Sequence, residues 1–274
     1  MIPTAFDYIR ARSIEEALAA LATHGDEAKL LAGGHSLLPL MKLRLATPAV
    51  LVDIGRLDDL RYINDVGDYV AIGALTRHRS VETSDLVRSQ AGLLAEATSY
   101  VGDPQVRHMG TIGGSVVHGD PASDLPSALL AMRATLVVQG PSGQREIAVD
   151  DFFTGFLDVS LGVDELLIEI RVPKMPDARW SFQKFNRRAQ DWAIVGVSVV
   201  VNNGSSGIGL VNMDSVPLRA VAVEAAVNGG ASASEAAQVA AEGANPPSDL
   251  NAGPEYREHL ARVLTRRALA VVGC

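Results

Sequence analysis

Two short segments, each with a pair of adjacent glycines, constrain this chain more than any other feature of its sequence. They are Ala32-Gly33-Gly34-His35-Ser36 and Thr111-Ile112-Gly113-Gly114-Ser115, about 80 residues apart. Because glycine has no Cβ atom, it tolerates positive φ and lets successive backbone N–H groups converge on an anion. Neighbouring serine and threonine hydroxyls can add further donors. Two such segments in one chain could hold a diphosphate from both sides, and a pair of ordinary tight turns would explain the same residues equally well.

Familiar phosphate and nucleophile motifs do not fit either segment. Neither contains the G-x-x-x-x-G-K-[ST] pattern of a P-loop or the G-x-G-x-x-G pattern of a dinucleotide-binding turn. Pro39 follows Ser36 closely and disfavours the long helix that such a turn requires. A G-x-S-x-G nucleophile elbow is excluded because Leu38 stands where its last glycine would be.

The composition excludes several classes of protein. The chain has 274 residues and a net charge of -8, which suggests about two folded domains and argues against nucleic acid as a partner. Its single cysteine, Cys274, excludes an intrachain disulfide, a Cys-x-x-Cys pair and a four-cysteine iron–sulfur cluster. No apolar stretch reaches the ~20 residues of a transmembrane segment. The N-terminal residues do not resemble a signal peptide, so a cytoplasmic protein is expected.

Hydrophobic patterning predicts three regions. Residues 1–56 read as a small α/β unit, with a helix capped by Ser13 and strands at 28–32 and 50–54. Residues 57–173 form a second unit, with strands at 69–73, 135–138 and 165–172, a helix over 80–101 that stops at Pro104, and a glycine-rich loop over 110–119. After a proline-containing linker, residues 177–274 show three strands (180–186, 192–201 and 208–213) and a helical C-terminus. Asn202-Asn203-Gly204 is expected to close a hairpin.

Other polar residues are ambiguous by themselves. Asp124 stands four residues after Asp120, where a carboxylate can accept from sugar hydroxyls or cap a helix. Lys184 and the pair Arg187-Arg188 can contact phosphate or a partner protein, or can form a basic edge exposed to solvent. Trp192 can pack in the core or in an interface, or stack near a cofactor. The six histidines form no metal-binding pattern, so no metal site is expected.

Longer stretches around the glycine pairs resemble a known family. AGGHSLLPLMKLRLATPAVLVDI (residues 32–54) and VGDPQVRHMGTIGGSVVHGDPASDLPSALLA (residues 101–131) are similar to the FAD-binding medium subunit of molybdenum hydroxylases, the xanthine dehydrogenase family. Within that family, the likeness is greatest to medium subunits of aerobic carbon monoxide dehydrogenases. The similarity continues through DELLIEIRVP (164–173), FQKFNRRAQDWA (182–193) and YREHLARVLTRRAL (256–269), and so covers nearly the whole chain.

The resemblance implies an α+β, two-subdomain FAD-binding fold of the vanillyl-alcohol-oxidase or PCMH type. A C-terminal three-stranded antiparallel sheet with a helical bundle then covers one side of the flavin. One departure is Ser115, where the family usually has asparagine. The cofactor-binding residues implied are Ala32, Gly33, Gly34, His35, Ser36, Leu37, Thr111, Ile112, Gly113, Gly114, Ser115, Asp124, Leu167, Lys184 and Trp192.

The resemblance also implies a place in a complex. Its members combine a molybdopterin large subunit, a 2Fe-2S small subunit and the FAD subunit, here expected as a dimer of heterotrimers. Electrons would pass from the clusters through FAD to a terminal acceptor, so no catalytic acid or base is expected in this chain. Two alternatives remain open at this point: a self-sufficient flavin-dependent alcohol oxidase of related fold, and a nucleotide-binding scaffold without redox turnover.

Overall fold

The computed structural model describes residues 2–274, and the first part of the chain forms a three-stranded parallel sheet. Its elements are, in order, β1 (Asp7–Arg10), α1 (Ile14–His24), β2 (Ala28–Leu31), α2 (Leu37–Leu43) and β3 (Val50–Asp53). The buried strand β3 lies in the middle and pairs with both β1 and β2. Sequence patterning predicts α1, β2 and β3 correctly. It gives no sign of β1, whose four residues are mostly exposed and show no apolar run.

The middle of the chain forms a five-stranded antiparallel sheet in the order β4-β5-β10-β6-β7, with helices packed on it. Its elements are β4 (Ile63–Val66), β5 (Tyr69–Gly73), α3 (His78–Thr83), α4 (Asp85–Gln90), α5 (Gly92–Ser99), α6 (Pro104–Met109), α7 (Ile112–His118), α8 (Asp124–Met132), β6 (Thr135–Gly140), β7 (Gly143–Ala148), β8 (Phe153–Gly155), β9 (Asp158–Val159) and β10 (Leu166–Pro173). Strands β8 and β9 pair only with each other.

The single helix predicted over residues 80–101 is wrong, because the chain forms three short helices there. Ser84 adopts an extended conformation between α3 and α4, and its hydroxyl accepts the Val87 amide, so it caps the second helix. Ala91 leaves helical geometry between α4 and α5. Pro104 also does more than end a helix: with Asp103 as N-cap it begins α6, where proline is tolerated because its missing N–H is not needed.

The predicted glycine-rich loop over 110–119 is also wrong, since most of it is α7. Thr111 is the N-cap of this helix, and its hydroxyl accepts the Gly114 amide at 3.2 Å. The helix ends at Gly119, which has left-handed geometry. Thus only the first glycine segment is a turn, with Gly34 at φ +76°. A short helix, α2, starts directly after it at Leu37.

The last part of the chain forms a four-stranded antiparallel sheet with helices on one face. Its elements are β11 (Arg179–Phe185), β12 (Val195–Asn202), β13 (Ser205–Val211), β14 (Leu218–Arg219), α9 (Val221–Asn228), α10 (Ala233–Ala236) and α11 (Pro254–Val271). The predicted hairpin is confirmed, with Asn203 and Gly204 both at positive φ between paired strands. Two details differ from the prediction: β12 begins at Val195 rather than Trp192, and the two-residue β14 adds a fourth strand.

The three parts of the chain share apolar cores. One cluster joins the helices of the middle part to Phe182, Val200 and Val211 of the C-terminal sheet. Helix α8 packs on that sheet, where the buried Ser127 and Ser198 hydroxyls lie 2.8 Å apart. A second cluster joins the N-terminal sheet to Ile168 of β10. This packing leaves a large cleft where the three parts meet.

Candidate functional site

A cavity of about 820 Å³ lies in this cleft and is lined by all three parts of the chain. Its volume is in the upper part of the range of small-molecule and cofactor sites. Of the fifteen site residues expected from the sequence, fourteen line it: Ala32, Gly33, Gly34, His35, Ser36, Leu37, Thr111, Gly113, Gly114, Ser115, Asp124, Leu167, Lys184 and Trp192. The exception is Ile112, whose side chain is fully buried in the central apolar core.

The first glycine segment touches, beside the cavity, the residues that lead into the second segment. A Cβ atom on Gly33 would lie 2.5 Å from the Met109 carbonyl oxygen and 2.8 Å from Gly110 Cα. Both distances are far below the ~3.5–4.0 Å of an ordinary contact between carbon atoms. Gly33 is therefore required for the close approach of the first segment to the chain that leads into the second.

The first segment has the free donors that an anion site needs. None of the backbone N–H groups from Gly33 to Leu37 donates a hydrogen bond to any residue within 2–274. Gly34 turns the chain at positive φ, and α2 follows with its N-terminus at the same place. A run of unpaired amides at a turn is suited to hold a phosphate group.

Four of the five amides of the second segment are already paired, which corrects the expectation that both segments offer a run of free amides. The N–H groups of Ile112 and Gly113 donate to the carbonyls of Thr76 and Ala74, after strand β5. The amides of Gly114 and Ser115 are taken by the side chain and carbonyl of Thr111. What this segment offers to the cavity is the half-buried Ser115 hydroxyl.

Asp124 and Lys184 form a buried ion pair at the cavity wall. Lys184 Nζ donates to Asp124 Oδ2 at 2.8 Å and to the Tyr100 carbonyl at 3.2 Å, and the two side chains are only 3% and 6% exposed. Burial raises the pKa of the Asp124 carboxyl to about 6, and the opposing attraction of Lys184 favours the ionised form. Its second oxygen, Oδ1, is buried and has no hydrogen-bond partner among the described residues.

This geometry argues against one of the two interpretations of Asp124, the capping role. The residue is the first of helix α8, but Ser123 is the N-cap position and no side chain caps the helix there. Asp124 therefore has no capping role. Because an unpaired buried carboxylate oxygen is costly, Oδ1 is suited to accept a hydrogen bond from a ligand hydroxyl in the cavity.

Leu167 and Trp192 form apolar parts of the wall in different ways. Leu167 is buried at an irregularity in β10, where the register with β6 shifts. Trp192 lies on the loop between β11 and β12 and is 57% exposed. The end of this loop is held by the buried Arg257, which donates to the Ile194 carbonyl, and by Asn212 Nδ2, which donates to the Ala193 carbonyl at 2.8 Å.

Sequence reasoning missed His78, which lies at the start of α3 and lines the same cavity. Its Nε2 atom is 2.9 Å from the Ser115 hydroxyl, and its side chain is almost fully buried. Burial lowers its pKa to about 4, helped by the nearby positive charge of Arg107. No local pattern around Thr76-Arg77-His78 could have placed it there, since its partner is 37 residues away.

Two family models together match nearly the whole chain. Residues 4–175 match the FAD binding domain in molybdopterin dehydrogenase, and residues 180–272 match the CO dehydrogenase flavoprotein C-terminal domain. The chain belongs to the family of FAD-binding subunits of molybdenum hydroxylases. Membership confirms the resemblance inferred from the glycine segments, and with it the α+β FAD-binding fold and FAD as the cofactor.

Two relatives of this family match over at least 97% of their own length. The chain is 40% identical to the carbon monoxide dehydrogenase medium chain of Hydrogenophaga pseudoflava, over 98% of this chain and 97% of the relative. It is 37% identical to the glyceraldehyde dehydrogenase medium chain of Sulfolobus acidocaldarius, over 99% and 100%. Among solved structures, carbon monoxide dehydrogenase from Hydrogenophaga pseudoflava superimposes with a TM-score of 0.96 and 41% identity, covering 99% of this chain and 98% of that one.

Two further properties bear on the function. Within residues 2–274, no helix has the length and apolar character required to cross a membrane. In the same part of the chain, no three or more His, Cys, Asp or Glu side chains are grouped so that they could hold a metal ion.

Proposed function

We propose that this chain is the FAD-binding subunit of a molybdenum hydroxylase and holds FAD in the cavity between its three parts. The observation that carries the proposal is the convergence of free amides, an unpaired carboxylate oxygen and an apolar wall on one cavity in a chain of this family. A diphosphate needs clustered donors and a sugar-like chain needs acceptors, and the cavity offers both.

Each group has a separate task in this proposal. The amides of Gly33 to Leu37 and the Ser115 hydroxyl donate to the diphosphate. Gly114 lies near Ala32, while Gly113 packs against Ala74 and Thr111 caps α7, so these residues fix the second segment beside the first. Asp124 Oδ1 accepts from a hydroxyl of the ribose or ribityl group, and Lys184 holds the carboxylate in place. Leu167 and Trp192 border the flavin end. Ile112 acts only indirectly, by anchoring α7 in the core.

The proposed role is electron transfer within a complex. FAD, when bound, can accept and release one or two electrons, while the protein positions it and sets its surroundings. The expected partners are a 2Fe-2S small subunit and a molybdopterin large subunit, in a dimer of heterotrimers. The relatives include subunits of a carbon monoxide dehydrogenase, a glyceraldehyde dehydrogenase and a nicotine 6-hydroxylase, so FAD-binding subunits of this kind serve complexes with different substrates.

The proposal assigns a separate role in FAD binding to each part of the chain. Residues 1–56 and 57–173 are the two FAD-binding subdomains, and residues 177–274 cover the flavin. We also propose the cytoplasmic location expected from the sequence. Detection of the chain in the cytoplasmic fraction after cell fractionation tests it.

The direct test is the visible spectrum of the purified chain after reconstitution with FAD and removal of unbound flavin. The proposal predicts flavin absorption bands with about one FAD per chain. Gly253→Ala serves as a folded control, since this glycine lies outside the cavity and a Cβ atom there meets nothing within 4 Å. A folded chain without flavin bands would contradict the proposal.

The same preparation separates the two alternatives. Oxidation of a simple alcohol by the FAD-loaded chain and oxygen, without any other subunit, would favour a self-sufficient oxidase. Nucleotide binding without flavin binding would favour a scaffold. Co-purification of a large chain with molybdenum and of a small chain with iron is the result that the electron-transfer role predicts.

A further inference from the structure

The buried imidazole of His78 contacts the hydroxyl of Ser115, which lines the cavity. His78 Nε2 lies 2.9 Å from Ser115 Oγ, and both residues line the cavity. The other ring nitrogen, Nδ1, is buried and finds no hydrogen-bond partner within the described part of the chain. The hydrogen-bonding capacity of His78 is therefore directed to Ser115 alone.

The backbone is shaped around this imidazole. A Cβ atom on Gly110 would lie 2.7 Å from His78 Cδ2 and 3.0 Å from its Nε2. The His78 amide also donates to the Gly110 carbonyl at 3.0 Å, which ties the start of α3 to the residue before Thr111. Gly110, which is not one of the paired glycines, is thus required by the position of the ring.

The protonation state of His78 determines what it does to Ser115. Burial keeps the imidazole neutral at pH 7, and the positive charges of Arg107 and Arg77, with that of His35 when it is protonated, act in the same direction. A neutral imidazole carries one N–H. If that proton were on Nδ1, a buried donor would be left unpaired, which is rarer in proteins than an unpaired acceptor. The proton therefore belongs on Nε2, which donates to Ser115 Oγ.

We propose that His78 is a positioning residue that donates from Nε2 to Ser115 Oγ and thereby directs the Ser115 hydroxyl proton towards the diphosphate of FAD. With its oxygen occupied as acceptor, the hydroxyl has its own proton free to donate into the cavity. Consecutive hydrogen bonds in a buried chain also strengthen one another. This inference rests on the proposed function, since it requires the diphosphate to lie between the two glycine segments.

Four variants of the full chain test the relay by fluorescence titration of the flavin-free protein with FAD. Ser115→Ala and His78→Leu should each raise the FAD dissociation constant roughly 10- to 100-fold, the range for a hydrogen bond to a charged group. The double variant should be within about threefold of Ser115→Ala, because both changes remove the same relay. His78→Gln should restore binding, since its amide can donate to Ser115.

A phosphorus spectrum adds a readout that a purely structural role would not change. The 31P resonances of bound FAD should shift in Ser115→Ala and in His78→Leu and return to the wild-type position in His78→Gln. The exposed His108, which lies outside the cavity, provides the control variant His108→Leu, with expected wild-type affinity and spectrum.

Other outcomes overturn the relay. They are wild-type affinity in Ser115→Ala, fully additive losses in the double variant, or a His78→Gln chain that binds no better than His78→Leu. Failure of the relay is distinguishable from failure of the proposed function. In the first case, wild-type chain binds FAD and Gly33→Ala weakens it, while the His78 and Ser115 variants bind normally. In the second, the folded wild-type chain binds no FAD at all.

Discussion

Gly33→Ala is the smallest change that should separate the two glycine segments. The new Cβ atom would lie 2.5 Å from the Met109 carbonyl oxygen, so one segment must move by roughly 1 Å to reach ordinary contact distance. Both atoms that it meets belong to the backbone, which cannot rotate away as a side chain would. Gly33 is not among the glycines with positive φ, so alanine brings no backbone strain of its own.

The magnitude follows from the displaced donors. Overpacking of this kind costs about 1–3 kcal/mol of stability. With the diphosphate held by these amides as proposed, a shift of this size also removes at least one charge-assisted hydrogen bond from the amides that follow Gly33, worth ~1.5–3 kcal/mol. The FAD dissociation constant should therefore rise roughly 10- to 100-fold.

The assay is an FAD titration of the flavin-free chain, paired with urea unfolding to show that the variant is folded. Gly253→Ala is the matched control, because its backbone lies at φ −86° and a Cβ atom there meets no neighbour within 4 Å. A folded Gly33→Ala chain with wild-type FAD affinity would refute the reasoning about the close approach.

Two further predictions concern buried charges. Asp124→Ala leaves Lys184 without its buried partner, so it should lower the free energy of unfolding by about 3–5 kcal/mol, measured by urea unfolding, and also weaken FAD binding. Asp58→Ala, which removes a largely exposed partner of Arg61, should lower the free energy of unfolding by at most ~1 kcal/mol. Equal losses in the two variants would contradict the burial of the Asp124–Lys184 pair. The pKa of His78 is lower in the folded chain than its ordinary 6.5, so the unfolded chain takes up a proton first as the pH falls. The lowering to about 4 corresponds to about 3 kcal/mol, which is present at pH 7 and lost as the pH falls from 6.5 to about 4. His78→Gln should remove that part of the pH dependence, and an unchanged unfolding profile would contradict it.

Local chemistry explains what the sequence predicted well. Asn203 and Gly204 are residues that accept positive φ, and the hairpin they close needs nothing from the rest of the chain. The run Tyr69–Gly73 is a strand in the structure with the predicted bounds.

Long-range partners explain what the sequence could not predict. The two glycine pairs have the same sequence, yet the amides of Gly33 and Gly34 are free, while Gly113 donates to the Ala74 carbonyl and Gly114 to the Thr111 hydroxyl. That difference depends on where strand β5 ends in space. The break of the predicted helix at Ala91 also has a tertiary partner, because the Trp180 ring lies within 2.5 Å of where a Cβ atom on Gly92 would be.

The central claim is that the diphosphate of FAD lies between the two glycine segments, and a crystal structure of the chain with bound FAD tests it most directly. The account predicts phosphate oxygens within about 3 Å of the amides of Gly33 to Leu37 and of Ser115 Oγ. It also predicts a hydroxyl of the cofactor on Asp124 Oδ1. A structure with the diphosphate away from both segments would contradict the account.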